Sequence, residues 1–172
     1  MFLVDPGTYL YTPVPEWRNR FRKTCHHNTV FLPDEEQNDF SSASLFALTN
    51  KARPEVLEAD ERIFRARHHG FSSIHERRLT LTNNSIEIHD IVAYDRARIF
   101  LCLHPEARLL ECNGTVCLLE RNGITVTLSL TGNSSKYWEP GSFFYSSAYG
   151  RKRPTICLTS SVFAQELIWR IF

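Results

Sequence analysis

Histidine clusters give this sequence its widest chemical reach. His26-His27-Asn28-Thr29 follows a basic run of Arg18, Arg20, Arg22 and Lys23, and His68-His69-Gly70-Phe71 precedes His75-Glu76-Arg77-Arg78. Imidazole titrates near neutrality, so such clusters suit proton transfer, and they suit metal ligation where a third ligand comes within reach. Flanking guanidinium groups suit bidentate contact with carboxylate or sulfate. Of the twenty basic side chains sixteen are Arg and four are Lys. That bias fits an acidic sugar ligand, and it equally fits plain genomic composition. A polar sheet face would account for the second cluster without any ligand, since exposed strand faces are normally charged. Other chemistries lack their signatures: there is no G-x-S-x-G elbow, P-loop or dinucleotide fingerprint.

Strands must position these groups. Leu79 and Leu81, then Asn83-Asn84, then Ile86 and Ile88 read as a hairpin with alternating apolar positions. The Asn113-Gly114 and Asn122-Gly123 turns connect residues 107–112, 115–120 and 124–130 into a meander. Further strands are expected at 8–12, 25–32, 45–49, 56–68, 99–104, 143–149 and 162–171, with surface loops at 33–44 and 134–147. No segment of ten or more residues carries a capped 3.6-residue period. The pattern predicts an all-β chain folded as one two-sheet antiparallel β-sandwich over residues 1–172. Within a strand at 25–32, alternation puts His27 and Thr29 on one face and His26 and Asn28 on the other. Only one of the adjacent histidines can then face a given cleft, and periodicity does not choose between them.

Bulk properties narrow the function classes. A hydrophobic content of 42% in 172 residues is ordinary for a folded domain, which excludes disorder of the whole chain. A net charge of +1 argues against nucleic-acid binding by bulk electrostatics. No stretch approaches a membrane span, and Met1 to Val4 is too short for a signal h-region, so the chain expressed alone is expected to be cytoplasmic. The five cysteines, Cys25, Cys102, Cys112, Cys117 and Cys157, include no C-x-x-C pair and read as small buried hydrophobes, not as disulfides or a zinc site.

Val4-Asp5-Pro6-Gly7-Thr8-Tyr9-Leu10-Tyr11-Thr12, followed by Arg20-Phe21-Arg22-Lys23-Thr24-Cys25-His26-His27-Asn28-Thr29-Val30, resembles the opening motif of the C-terminal domain of the heparinase II/III family. Further matches run in order through Glu36-Gln37 with Phe40, His69-Gly70-Phe71, His75-Glu76-Arg77-Arg78, Ile86-Glu87-Ile88-His89-Asp90 and His104-Pro105. The resemblance implies the β-sandwich part of a polysaccharide lyase that cleaves uronic-acid-containing glycans by β-elimination. It implies a cleft against an α/α toroid domain or subunit, which would contribute a catalytic Tyr and a carboxylate-neutralising Asn, and a cell-envelope or periplasmic setting. A non-catalytic module that binds acidic glycans, or serves capsule or exopolysaccharide biogenesis, is the alternative. Carried over by position, His27 is the candidate cleft histidine or metal ligand, with His26 second. Arg20, Arg22, Asn28, His69 and Arg77 are the substrate-facing candidates. A zinc site would take His27, His75 and, as the nearest acidic residue, Asp39.

Overall fold

A computed structural model describes residues 1–39, 48–131, 137–161 and 165–172. Its strands are β1 (Thr29–Phe31), β2 (Glu55–Ala59), β3 (Ile63–His68), β4 (His75–Leu81), β5 (Ile86–Val92), β6 (Arg98–Cys102), β7 (Arg108–Asn113), β8 (Val116–Arg121), β9 (Ile124–Thr131), β10 (Glu139–Ala148), β11 (Arg151–Ser161) and β12 (Glu166–Ile171). They form a four-stranded sheet ordered β1-β6-β11-β10 and an eight-stranded sheet ordered β2-β3-β4-β5-β12-β9-β8-β7. Every pairing is antiparallel. The predicted sandwich is therefore the observed one, and its hairpins at Asn83-Asn84, Asn113-Gly114 and Asn122-Gly123 close as expected.

The main core lies between the sheets. Val30, Ile99, Leu101 and Leu158 of the small sheet meet Ile88, Leu119, Leu128, Leu167 and Trp169 of the large one. β6 is buried on both faces: Ile99 and Leu101 enter that core, while Phe100 and Cys102 enter a second one on the outer side of the small sheet. The second core is capped by an element that the strand pattern did not predict, helix α1 (Pro15–Arg22). Its apolar residues Trp17 and Phe21 are spaced i, i+4 and so share one face, and Phe21 is buried against Phe143 at a ring separation of 5.5 Å. Pro15 opens the helix, Glu16 sits in its first turn, and Arg20 and Arg22 lie in its last, all favourable to the helix dipole. At eight residues it is too short for a ten-residue window to detect.

Other expectations need correction. Residues 8–12 form no strand, because Gly7 and Tyr9 take left-handed backbone at φ 80° and 64°. The expected strand at 25–32 shortens to β1, preceded by a 3-10 turn at Thr24–His26 that breaks the alternation. The run 56–68 divides into β2 and β3, whose turn is held by Asp60 accepting the Arg62 and Ile63 amides at 2.7 Å each. β11 was not anticipated, since its opening Arg-Lys-Arg-Pro does not read as a strand. Most of the loop expected at 134–147 is β10, while residues 45–47, 134–136 and 162–164, with Phe40, lie outside the described residues. Two cysteines also depart from expectation. Cys112 and Cys117 face each other across the Asn113-Gly114 hairpin with Cα atoms 4.1 Å apart and form a disulfide. Cys102 and Cys157 are buried thiols, as expected.

Gly7 is required by two independent constraints. Besides its positive φ, a Cβ there would lie 2.1 Å from the Ser146 carbonyl oxygen. Gly7→Ala is expected to cost roughly 2 kcal/mol or more, read as a lowered urea midpoint. An unchanged midpoint would mean that the N-terminal segment does not dock on β10.

Candidate active-site cleft

The large sheet has more strands than the small one can cover, so the inner face of β3 and β4 runs out from under the sandwich. Period-two alternation brings Phe64, Ala66 and His68 of β3 to one face. The register sets them opposite Leu79, Arg77 and His75 of β4. These six residues, with His27, Thr29 and Gln37 among others, line a cleft of about 350 Å³. Three of the sequence candidates, His27, His75 and Arg77, thus meet in space.

Asp90 of β5 anchors the floor. It is fully buried and accepts from His75 Nε2 at 2.8 Å, Arg77 Nε at 2.7 Å, Arg77 Nη2 at 3.0 Å and Trp169 Nε1 at 3.3 Å. Burial opposes its charge, but Arg77 and His75 outweigh that and hold the carboxyl down at about 2. The anion fixes the proton pattern of the neighbouring rings. His68 Nδ1 accepts the Gly70 amide at 3.2 Å, so its Nε2–H donates to His75 Nδ1 at 3.0 Å, and His75 Nε2–H donates to Asp90. The remaining arm of Arg77 donates to the Asn28 carbonyl at 2.7 Å, tying the floor to the wall that carries His27.

On that wall His27 Nδ1 lies 2.6 Å from Asp5 Oδ2 and donates to it. Asp5 also accepts the Gly7 amide at 2.9 Å. Burial pushes the Asp5 carboxyl up, yet the His27 and Gly7 hydrogen bonds together hold it below the usual range. The pair sets the tautomer: Nδ1 carries the proton and Nε2 has a lone pair with no partner among the described residues. A histidine held in this way by a carboxylate is arranged to accept a proton.

The other candidates lie elsewhere. His26 stacks on Phe143 at 4.2 Å under α1 and donates Nδ1–H to the Arg20 carbonyl at 2.7 Å, on the outer side of the small sheet. The Arg20 guanidinium covers Trp17 at 5.2 Å and Phe143 at 5.5 Å, and Arg22 shares the same helix. Asn28 splices the N-terminal segment to β6, donating to the Val4 carbonyl at 3.1 Å and accepting the Cys102 amide at 2.7 Å. His69 pairs with Glu55 at 2.9 Å outside the cleft. Asp39 is exposed and does not line the cleft. Among the described residues no three His, Cys, Asp or Glu side chains converge as a metal-ligand set, and both ring nitrogens of His75 are engaged. As placed, His27, Asp39 and His75 do not fit a zinc triad. Asp5, His68 and Asp90 are the site residues that sequence reasoning left without roles.

Burial pushes both His26 and His68 down to about 4. The unfolded chain takes up these protons near the ordinary value of 6.5. Stability from the neutral rings is therefore complete above about pH 6.5 and falls as pH drops towards 4. The loss is on the order of 1–3 kcal/mol per ring after allowance for partial exposure. Urea midpoints at about pH 7.5 and 4.5 should differ accordingly, and His68→Gln should shrink the difference. A midpoint independent of pH over that window would contradict the buried neutral rings.

Comparison with known proteins places this geometry. Residues 1–170 match the family model described as heparinase II/III-like, C-terminal. The heparan sulfate lyase HepC from Pedobacter heparinus superposes with a TM-score of 0.77 at 13% identity, covering 99% of this chain and 28% of that one. The heparinase III BT4657 gene product superposes at 0.75 with 17% identity and the same two coverages. A further heparinase III structure gives 0.74 at 14% identity, covering 99% and 27%. The chain thus spans little more than a quarter of the structures it resembles, and at these identities the likeness is one of fold. No curated protein sequence matches the chain. No helix among the described residues is long and apolar enough to cross a membrane.

Proposed function

Because this chain belongs to the heparinase II/III-like C-terminal family, we propose that it forms one wall of a polysaccharide lyase active site that acts on uronic-acid-containing glycans by β-elimination. The observation that carries this reading is the Asp5–His27 pair on the cleft, with the basic nitrogen of His27 left without a partner among the described residues. β-Elimination removes the proton on C5, tolerates negative charge on the C6 carboxylate, and protonates the departing O4. His27 Nε2 supplies a proton acceptor or, once protonated, a donor. Asp5 stabilises the imidazolium formed in between.

Positive charge for the substrate carboxylate is scarcer. Each cation of the cleft already has a carboxylate: Arg77 has Asp90, and Arg67 has Glu55 at 2.8 Å. The spare N–H groups of Arg77, together with Gln37 and Thr29, orient the sugar. The neutralising group and the second proton-transfer residue come from an α/α toroid domain or subunit facing this wall. The Cys112–Cys117 disulfide supports residence in an oxidising compartment such as the cell envelope.

The test is to assay the chain alone and joined to its toroid on uronate polymers, following the ultraviolet absorbance of the unsaturated product. Turnover only with the toroid is expected. Saturable binding with no cleavage in either form would replace the lyase reading with that of an acidic-glycan-binding module.

A further inference from the structure

A second pocket, of about 230 Å³, opens where the N-terminal segment meets the β10–β11 hairpin, and its lining includes Thr8, Tyr11, Ser147 and Tyr149. The Tyr11 and Tyr149 rings stack at 5.3 Å with planes 25° apart, and both are exposed, at 43% and 56%. The platform is held rigidly. Ser146 donates its amide to the Pro6 carbonyl and Gly150 donates to Tyr9, each at 2.8 Å, and the Gly7 approach permits no side chain. Beside it the hairpin continues as Arg151-Lys152-Arg153, and residues 140–161 contain no acidic side chain. Lys152 is spent on an aromatic box, 2.9 Å from the Trp17 ring centre and 4.7 Å from those of Tyr9 and Phe144. Arg151, paired across the hairpin with the pocket residue Ala148, is exposed and forms no ion pair with the described residues, whereas Arg153 acts on His104 and Glu106.

From the stacked tyrosines, the hydroxyls of Thr8 and Ser147 and the Arg151 guanidinium beside Ala148, we propose that this pocket is a remote subsite for a pyranose unit of an acidic glycan. Aromatic faces receive the C–H face of a sugar, hydroxyls receive its ring substituents, and Arg151 receives carboxylate or sulfate on the same or the next unit. The identity of the glycan rests on the lyase reading above; the pocket does not. Six Cα-to-Cα steps lead from Asp5 to Tyr11, so the backbone of the platform lies within about 20 Å of Asp5. An oligosaccharide of several units is long enough to span that distance between the His27 cleft and this pocket. The subsite adds affinity for long chains without touching the bond that breaks.

The experiment is an amide-shift titration of the isotope-labelled chain with heparin-derived and alginate-derived tetrasaccharides and decasaccharides. For at least one polymer the decasaccharide should shift the amides of Thr8, Ser147 and Tyr149 together with those of Thr29 and Arg77. Tyr149→Ala and Tyr11→Ala should each weaken decasaccharide binding about tenfold and leave tetrasaccharide shifts at the cleft unchanged. Tyr149 lies in an exposed turn, so its removal leaves the fold intact. Decasaccharide shifts confined to the cleft, or equal affinity in the Tyr149→Ala chain, would overturn the subsite and spare the lyase reading. Shifts at Tyr149 with none at the cleft, unaffected by His27→Ala, would overturn the lyase reading and leave the subsite standing. An absence of shifts with every oligosaccharide would overturn both.

Discussion

Asp90→Ala is expected to lower the thermal midpoint by about 10 °C or more. Removing one partner of a buried ion pair typically costs about 3–5 kcal/mol, because the surviving charge is left without compensation. In a chain of this size each kcal/mol shifts the midpoint by roughly 2–4 °C. Three side chains lose an acceptor together: His75, the Nε and Nη2 groups of Arg77, and the indole of Trp169. Arg77 is the most costly to strand, since it keeps a full charge at the edge of the core. Asp90→Asn preserves the volume and one acceptor but points amide hydrogens at donors, so an intermediate loss is expected. The double variant Asp90→Ala with Arg77→Ala should lose less than the two single effects combined. The sign with pH is set by the lowered carboxyl. Its contribution, about 2 kcal/mol, is complete above pH 4 and disappears as pH falls through about 2. A midpoint shift below about 3 °C for Asp90→Ala would show that the β3–β5 face holds together without the carboxylate.

The largest effect on activity is expected at His27. On the proposed lyase reading, His27→Ala in the chain joined to a toroid should lower kcat by about 100-fold to 10,000-fold, the range for loss of a positioned proton-transfer group, with KM changed far less. Asp5→Asn should keep the ring in place while removing the anion that selects its tautomer and stabilises its protonated form. Asp5 is 65% exposed, so solvent replaces part of that stabilisation and a loss of about tenfold is expected. The two variants together should be little worse than His27→Ala, because Asp5 acts through the imidazole. A His27→Ala enzyme that retains more than about a tenth of kcat would place the proton transfer elsewhere, and a raised KM with kcat preserved would make His27 a binding group only.

The residues of this cleft differ in how far their positions follow from the sequence alone. Period-two runs and Asn-Gly turns were enough for the sandwich, because in antiparallel sheets the pattern of side chains and the turn chemistry agree. The same reasoning could have found Asp90. Counting outwards from the Asn83-Asn84 turn sets Arg77 opposite Asp90, and a carboxylate facing an arginine on an inner sheet face signals a buried pair. Asp5 could not be reached in that way. It meets His27 only because the left-handed backbone at Gly7 and Tyr9 folds the N-terminal segment onto β10, a contact with no local periodicity. His26 and Arg20 misled for the opposite reason. Helix α1 and the 3-10 turn rotate them onto the outer core, where two aromatic rings at i, i+4 outweigh the polar character of the segment.

The order of strands in the small sheet governs when each wall can exist while the chain is being made. The floor, β3 through β5, consists of neighbouring hairpins and can pair as soon as it leaves the ribosome. Among the described strands β1 pairs with β6 alone, and β6 awaits β11, so the wall that carries His27 stays without its full sheet until residues 151–161 have been synthesised. Trp169, the last donor to Asp90 in chain order, lies on β12, 79 residues after it. Until β12 is made, Asp90 therefore stands beside His75 and Arg77 with one face still in water, and the final burial, which opposes its charge, comes only after the partners that outweigh it are in place.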